Sequence, residues 1–278
     1  MKFVRFGTRG TERPGVIDRD GQIRDLSNYV NDITGFALGE GLATKVAALD
    51  LESLPLVPTG TRLGACVGNV GNFVAIGLNY VDHAIETNAP IPKEPIIFNK
   101  ARSCIVGPYD DVILPPDSVK ADWEVEIAFV ISKTASYVSE EEALDYVGGY
   151  FVCNDVSERE YQLEREGQWD KGKGCPTFGP IGPWLVTPDE VGNPQELGLW
   201  LEVNGERLQY SSTKNMIFPI KRIVSAVSKY MTLEVGDIVT TGTPPGVGLG
   251  MRPERYLKRG DVMKLGVDKL GFQEQKVV

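Results

Sequence analysis

A chain of 278 residues, 42% hydrophobic and 24% charged, has the balance of a globular protein and room for one large domain plus a small one. Its net charge of −9 works against nucleic acid or an anionic membrane as partner, and no apolar run approaches the ~20 residues that span a bilayer. A single histidine, His83, excludes mechanisms that need two. Four scattered cysteines without a CxxC pair exclude a zinc ribbon or disulfide framework and read as small hydrophobes or free thiols.

In chain order, Met1 to Gly7 meets charge and glycine too soon for a signal peptide, so a cytoplasmic protein is expected. Lys2 to Phe6 alternates like a strand, and Val16 to Ile23 carries an Asp-Gly hairpin turn. Residues 31–53 read as helical, with Leu42, Val46 and Leu49 on one face. Prolines and glycines from Pro55 to Gly71 mark a boundary, giving a small N-terminal domain over 1–65 and a main domain over 66–278. Phe73 to Leu78 reads as a strand and residues 81–87 suit a helix. Val125 to Ile131 is an apolar run of strand length, and Val147 to Cys153 is another strand. Ser139 to Glu142 and Ser157-x-x-Glu160 are capping boxes, each expected to open a helix. Leu199 to Gln209 is a hairpin turning at Asn204-Gly205. Phe218 to Met231 is the longest amphipathic helix, and strands follow at Ile238–Thr241, Val262–Val267 and Gly271–Val277. Strands outnumber helices and no βαβ alternation appears, which predicts a strand-rich α+β fold over a doubly wound sheet.

Glu124 and Glu126 sit two apart at the mouth of the apolar strand, so both carboxylates leave one face roughly 7 Å apart. Two like charges entering a core demand a cation or a proton, and a hard divalent ion held through oxygen is the simplest answer. A wet sheet edge is the plainer alternative. Asp155 ends a strand just before the second capping box, a place where ligands gather, although a turn aspartate fits as well. Arg159 and Gln162 are one helical turn apart, close enough together to reach a bound carboxylate. His83 and Glu86 are spaced i,i+3, so the carboxylate can orient the imidazole as a base for water; solvated faces carry the same spacing. Gly167-x-x-x-x-Gly172-Lys173-Gly174 mimics a phosphate loop but lacks the hydroxyl residue after its lysine and follows no strand. A nucleotide site is therefore rejected in favour of a loop that delivers a lysine to an oxyanion.

Taken together and in this order, the motifs resemble the fumarylacetoacetate hydrolase family over about residues 70–277. The most specific part is Trp123-Glu124-Val125-Glu126, then Asn154-Asp155-Val156-Ser157-x-Arg159-x-x-Gln162, then Lys173-x-x-x-Thr177-Phe178-Gly179-Pro180. The resemblance implies a mixed β-roll or barrel-like core, a homodimer, and Mg²⁺ or Mn²⁺ on Glu124, Glu126 and Asp155. It implies His83, Glu86 and Lys173 as catalytic residues, and Lys100, Arg159, Gln162 and Thr243 as contacts for a small anionic 2-oxo acid. Ala101 stands where relatives have proline, and Pro176 where they commonly have aspartate. The implied reaction is hydrolysis of the C3–C4 bond of a 2,4-dioxo acid, a diketo-deoxy sugar acid or an acylpyruvate, releasing pyruvate. Oxaloacetate decarboxylation, or 2-oxo acid hydration or isomerisation, is the alternative on the same site. The wording Lys171-Gly172-Lys173-Gly174-Cys175 leans towards the sugar-acid branch.

Overall fold

The computed structural model describes residues 1–86 and 89–278. The strands, in chain order, are β1 (Lys2–Phe6), β2 (Arg13–Ile17), β3 (Ile23–Asp25), β4 (Phe73–Gly77), β5 (Ile96–Lys100), β6 (Ile105–Val106), β7 (Ala121–Asp122) and β8 (Val125–Ile131). They continue as β9 (Val147–Asn154), β10 (Ser157–Glu158), β11 (Gly179–Val186), β12 (Gly198–Val203), β13 (Glu206–Ser212), β14 (Ile238–Thr240), β15 (Val262–Val267) and β16 (Gly271–Lys276). One long sheet runs β3-β2-β1-β11-β9-β8-β14-β4-β5, with β6 added beside β11. Among the described residues, only the β14–β4 and β11–β6 pairs in it are parallel. A second sheet, β13-β12-β15-β16, is antiparallel throughout. The strand-rich α+β class therefore holds, but the long sheet ends on β3 and β5 and does not close into a barrel.

β8 shows why the sequence folds this way. Its side chains alternate between two apolar clusters: Val125, Ile127, Phe129 and Ile131 enter one, Ala128 and Val130 the other. A strand covered on both faces must read as an unbroken apolar run, as this one does. The first cluster is roofed by the second sheet, by α5 (Pro188–Val191), which adds Val191, and by α6 (Ile220–Tyr230), which buries Ile220, Ile223, Val224 and Val227 in the spacing of one helical stripe.

The second cluster is shared. Phe3, Val16, Leu26 and Ile33 from the N-terminal segment pack with Phe151, Cys153, Leu185 and Ile181 of the central strands. β1 also hydrogen-bonds β11 through the Lys2–Val186 and Phe3–Leu185 pairs, so residues 1–65 extend the main sheet. All four cysteines are free and buried.

Local expectations are corrected in three places. Residues 31–53 break into α1 (Gly35–Gly39), α2 (Leu42–Ala47) and a 3₁₀ turn, because Gly41 takes a left-handed conformation at φ 78° between the two helices. Half of the Ser139 box forms, its hydroxyl accepting from the Glu142 amide at 3.3 Å and donating to the Glu142 carboxylate at 3.2 Å, and only a 3₁₀ turn follows. The Ser157 box does not form. Ser157 pairs with Asp122 across β10 and β7, its hydroxyl donates to Asp155 O, and the turn that follows is a π-helix over Glu160–Glu164. Glu158, just before that turn, accepts from the Tyr161 amide at 2.8 Å. The helix expected over 81–87 is α3 (Val81–Glu86), and residue 87 lies outside the described residues.

Candidate metal centre

Register brings the three carboxylates together. β8 pairs with β9 antiparallel, Val125 opposite Asn154 and Glu126 opposite Cys153. One step further out, the Asp155 amide donates to Glu124 O at 2.9 Å. Glu124, Glu126 and Asp155 thus leave one face of two neighbouring strands, and a ligand oxygen of each lies within 4.8 Å of the others. They are 5%, 1% and 1% exposed, too dry to remain three uncompensated anions.

Compensation comes from three cations. α4 (Asp170–Lys173) carries Lys173, whose ammonium donates to Glu124 Oε2 and Asp155 Oδ2, both at 2.8 Å. Lys100 Nζ stands 2.6 Å from Asp155 Oδ1. Arg159 donates from Nε to Asp122 at 2.9 Å, from Nη1 to Gln162 Oε1 at 3.1 Å, and sets Nη2 2.7 Å from Glu124 Oε1. Burial alone would raise Glu124, but Lys173 and Arg159 overrule it and hold its carboxyl down at about 2. Glu126 goes the other way. Burial first, then the charges of Asp155 and Glu124, push it well above the ordinary carboxylate range, even though Thr240 Oγ1 and the Gly242 amide donate to it at 2.5 and 2.7 Å. Another positive charge beside Glu126 would offset that repulsion. Three hard carboxylate donors, each with an oxygen within 4.8 Å of the others, suit a divalent ion.

The remaining expected residues divide. His83, on α3, lines a cavity of about 250 Å³ together with Glu124 and Glu126, and Glu86 on the same helix sets its Oε2 3.2 Å from His83 Nδ1. Glu86 is itself fixed by the Gly246 amide, at 2.9 and 3.1 Å from its two oxygens. Gln162 lines the cavity, and with its carbonyl oxygen given to Arg159 it presents its amide NH₂. Arg159 also lines it, but its guanidinium is engaged by Asp122, Glu124 and Gln162.

Two expected substrate contacts are not placed as contacts. Lys100 is fully buried beneath Asp155, its ammonium donating to Lys173 O and to Val156 O at 3.3 Å, because β5 carries it under the lysine helix and away from the cavity. Thr243 reaches the cavity wall, but its hydroxyl donates to Val125 O at 2.9 Å and accepts from Gln209 Nε2 at 2.8 Å. It ties the Thr-Gly-Thr-Pro turn to β8. Ala101 lies where a Cβ on Gly174 would come within 3.3 Å of its own, so it adjoins the lysine loop.

Several residues that build the site had no signal in the sequence. Asp122 accepts from Arg159 and from the Gly248 and Leu249 amides, drawing three segments together. Gln209 donates to Thr243 and Pro244 O and accepts from the Val125 amide. Each is an ordinary polar residue whose partners lie tens of residues away.

With this geometry in view, the comparisons with known proteins are direct. Residues 72–278 match the family described as fumarylacetoacetate (FAA) hydrolase C-terminal, and the chain belongs to that family. A Burkholderia ambifaria protein named as a hydrolase is 55% identical over 276 residues, covering 99% of this chain and 98% of the relative. Among solved structures, a fumarylacetoacetate hydrolase from Exiguobacterium antarcticum is 36% identical with a TM-score of 0.87, over 100% of this chain and 99% of that one. A maleylpyruvate hydrolase from Sphingobium sp. SYK-6, in complex with manganese(II) and pyruvate, is 29% identical with a TM-score of 0.83 over the same shares. A 5-carboxymethyl-2-hydroxymuconate delta-isomerase from Mycobacterium smegmatis is 30% identical with a TM-score of 0.79, over 100% of this chain and 98% of that one. The protein is an enzyme of this family. Among the described residues no helix is long and apolar enough to cross a membrane.

Proposed function

We propose that this enzyme is a divalent-metal-dependent hydrolase that cleaves the C3–C4 bond of a small anionic 2,4-dioxo acid and releases pyruvate. The observation that carries the reading is that His83, paired with Glu86, lines one cavity with Glu124 and Glu126 of the acidic triad. A structural neighbour described with manganese(II) and pyruvate supports it.

Glu124, Glu126 and Asp155 would hold Mg²⁺ or Mn²⁺, which supplies a Lewis acid for negative charge on a 2-oxo oxygen. The chain's own residues do the rest. His83, held by Glu86, takes a proton from water, and the resulting hydroxide adds to C4. The C3–C4 bond then breaks towards C3, leaving a carboxylic acid on the C4 side. His83 returns its proton to C3, which completes pyruvate. Lys173 uses two of its three N–H donors on Glu124 and Asp155, so one is left to stabilise the oxygen that gains charge. Gln162 offers its amide NH₂ to the substrate carboxylate.

The test is pyruvate release from metal-stripped protein given 2,4-dioxo acids with and without Mg²⁺ or Mn²⁺. Glu124→Ala is expected to lose both metal and turnover. His83→Ala is expected to keep metal affinity and lose about 10²–10⁴-fold in kcat, the range of a general base. A fully active His83→Ala enzyme removes the histidine from this mechanism. The isomerase neighbour favours a second reaction on the same site, so ring-opened muconate-type isomerisation and oxaloacetate decarboxylation belong in the same assay. Turnover of either without pyruvate release from any dioxo acid decides for it.

A further inference from the structure

The cavity is two-sided. Its polar side is Glu124 and Glu126 with His83, Lys173, Arg159 and Gln162; its other side is Leu78, Phe98, Leu163, Trp169 and Leu249. Leu78, Trp169 and Leu249 are half-buried and Leu163 is 44% exposed, so the apolar side keeps open surface that no other part of the described chain covers. Trp169 is a built feature. Its indole meets the Phe98 ring edge-on at 5.3 Å, and it lies so close over Gly77 that a Cβ there would fall 2.6 Å from the ring. A glycine at the end of β4 thus gives the indole its seat.

The polar groups of the wall are, by contrast, already engaged. Thr243 gives its hydroxyl to Val125 O, Arg159 serves Asp122 and Glu124, and Lys173 serves Glu124 and Asp155. Once Gln162 takes the carboxylate, little is left among the described residues to satisfy a hydroxyl beyond C4. A hydroxyl buried without a partner weakens binding, whereas a hydrocarbon gains from the same wall.

We infer that the group beyond C4 is apolar, an alkyl or aryl chain seated against Trp169, and that Trp169 sets this specificity. The inference rests on the dioxo acid hydrolase reading and narrows it from sugar acids to acylpyruvates with a hydrocarbon tail.

Two measurements separate the inference from the reading beneath it. With Mn²⁺ bound, kcat/KM is compared for 2,4-dioxooctanoate, 2,4-dioxopentanoate and 2,4-diketo-3-deoxy-L-rhamnonate. The octanoate is expected to exceed the rhamnonate by about tenfold or more, the scale of a few methylenes in an apolar pocket. Trp169→Ala is expected to lose about tenfold for the octanoate, mostly in KM, with the short pentanoate nearly unchanged; Trp169→Phe should restore most of the loss. A rhamnonate turned over as well as the octanoate overturns the apolar seat and leaves the hydrolase standing. The second measurement needs no turnover: calorimetric binding of pyruvate and of 2-oxooctanoate to the Mn²⁺-loaded protein. Tighter 2-oxooctanoate binding that Trp169→Ala abolishes supports the seat even if every dioxo acid is inert and the hydrolase reading fails. Equal binding of the two acids overturns it in either case.

Discussion

Lys100 shows how far a side chain's role depends on where its ammonium lands. Burial works against its charge, yet Asp155 holds it above the ordinary lysine value, so it remains a cation pressed against a metal-site carboxylate. Its place is behind Asp155, where it orients the carboxylate and grips the Lys173 carbonyl at the end of α4. Lys100→Met should therefore weaken Mn²⁺ binding by about 10–100-fold, the usual effect of losing a residue that orients a metal ligand. Calorimetry on a variant with an unchanged circular dichroism spectrum checks this, and an unchanged affinity would return Lys100 to the substrate. Glu126 yields a pH prediction. Burial and the charges of Asp155 and Glu124 raise its pKa, so it takes up a proton at a higher pH than a free carboxyl, and that proton competes with a metal ion. Mn²⁺ affinity is expected to rise with pH and loading to release a proton, seen as a binding heat that changes with the buffer's ionisation enthalpy. A pH-independent affinity with no buffer effect would show that Glu126 is already ionised.

At the level of elements, α4 is only four residues long, and its position comes from contact alone. Gly172 makes the contact possible. A Cβ there would stand 2.3 Å from Glu158 O and 2.7 Å from the Gln162 amide, so the helix packs against the π-turn backbone only without a side chain. Gly172→Ala should cost about 1–3 kcal/mol in urea unfolding, as overpacking does, and should lower kcat by displacing Lys173. Wild-type stability and activity would mean that the turn yields freely. The same turn explains the failed Ser157 expectation. A capping box is a local pattern, and here the pairing of β10 with β7 took Ser157 into a sheet before any helix began. Where local pattern and long-range pairing agreed, as in β8, α6 and the Asn204-Gly205 hairpin, the elements lie within three residues of their expected places.

On the scale of the whole molecule, the N-terminal segment and the metal centre depend on one sheet. β1 lies against β11, β11 against β9, and β9 carries Asp155 at its end. A chain lacking residues 1–65 would expose the β11 edge and the side of the second cluster that Phe3, Val16, Leu26 and Ile33 cover. That truncation is expected to aggregate or unfold, read by size-exclusion chromatography and circular dichroism. A monodisperse, folded 66–278 fragment would make the N-terminal segment a separable domain.

The sequence by itself determined what lies within a few residues. Two-residue spacing put Glu124 and Glu126 on one face, three-residue spacing set Glu86 beside His83, and the apolar run after Glu126 announced a covered strand. Those relations follow from backbone periods, which need no knowledge of the rest of the chain. The tertiary structure alone decided which distant groups meet. Strand register set Asp155 opposite Glu124, burial took Lys100 out of the cavity, and the Val125 carbonyl claimed the Thr243 hydroxyl. Asp122 and Gln209 became structural centres through partners far along the chain. Such contacts arise from packing and long-range hydrogen bonds, whose geometry is fixed only when the whole sheet has formed.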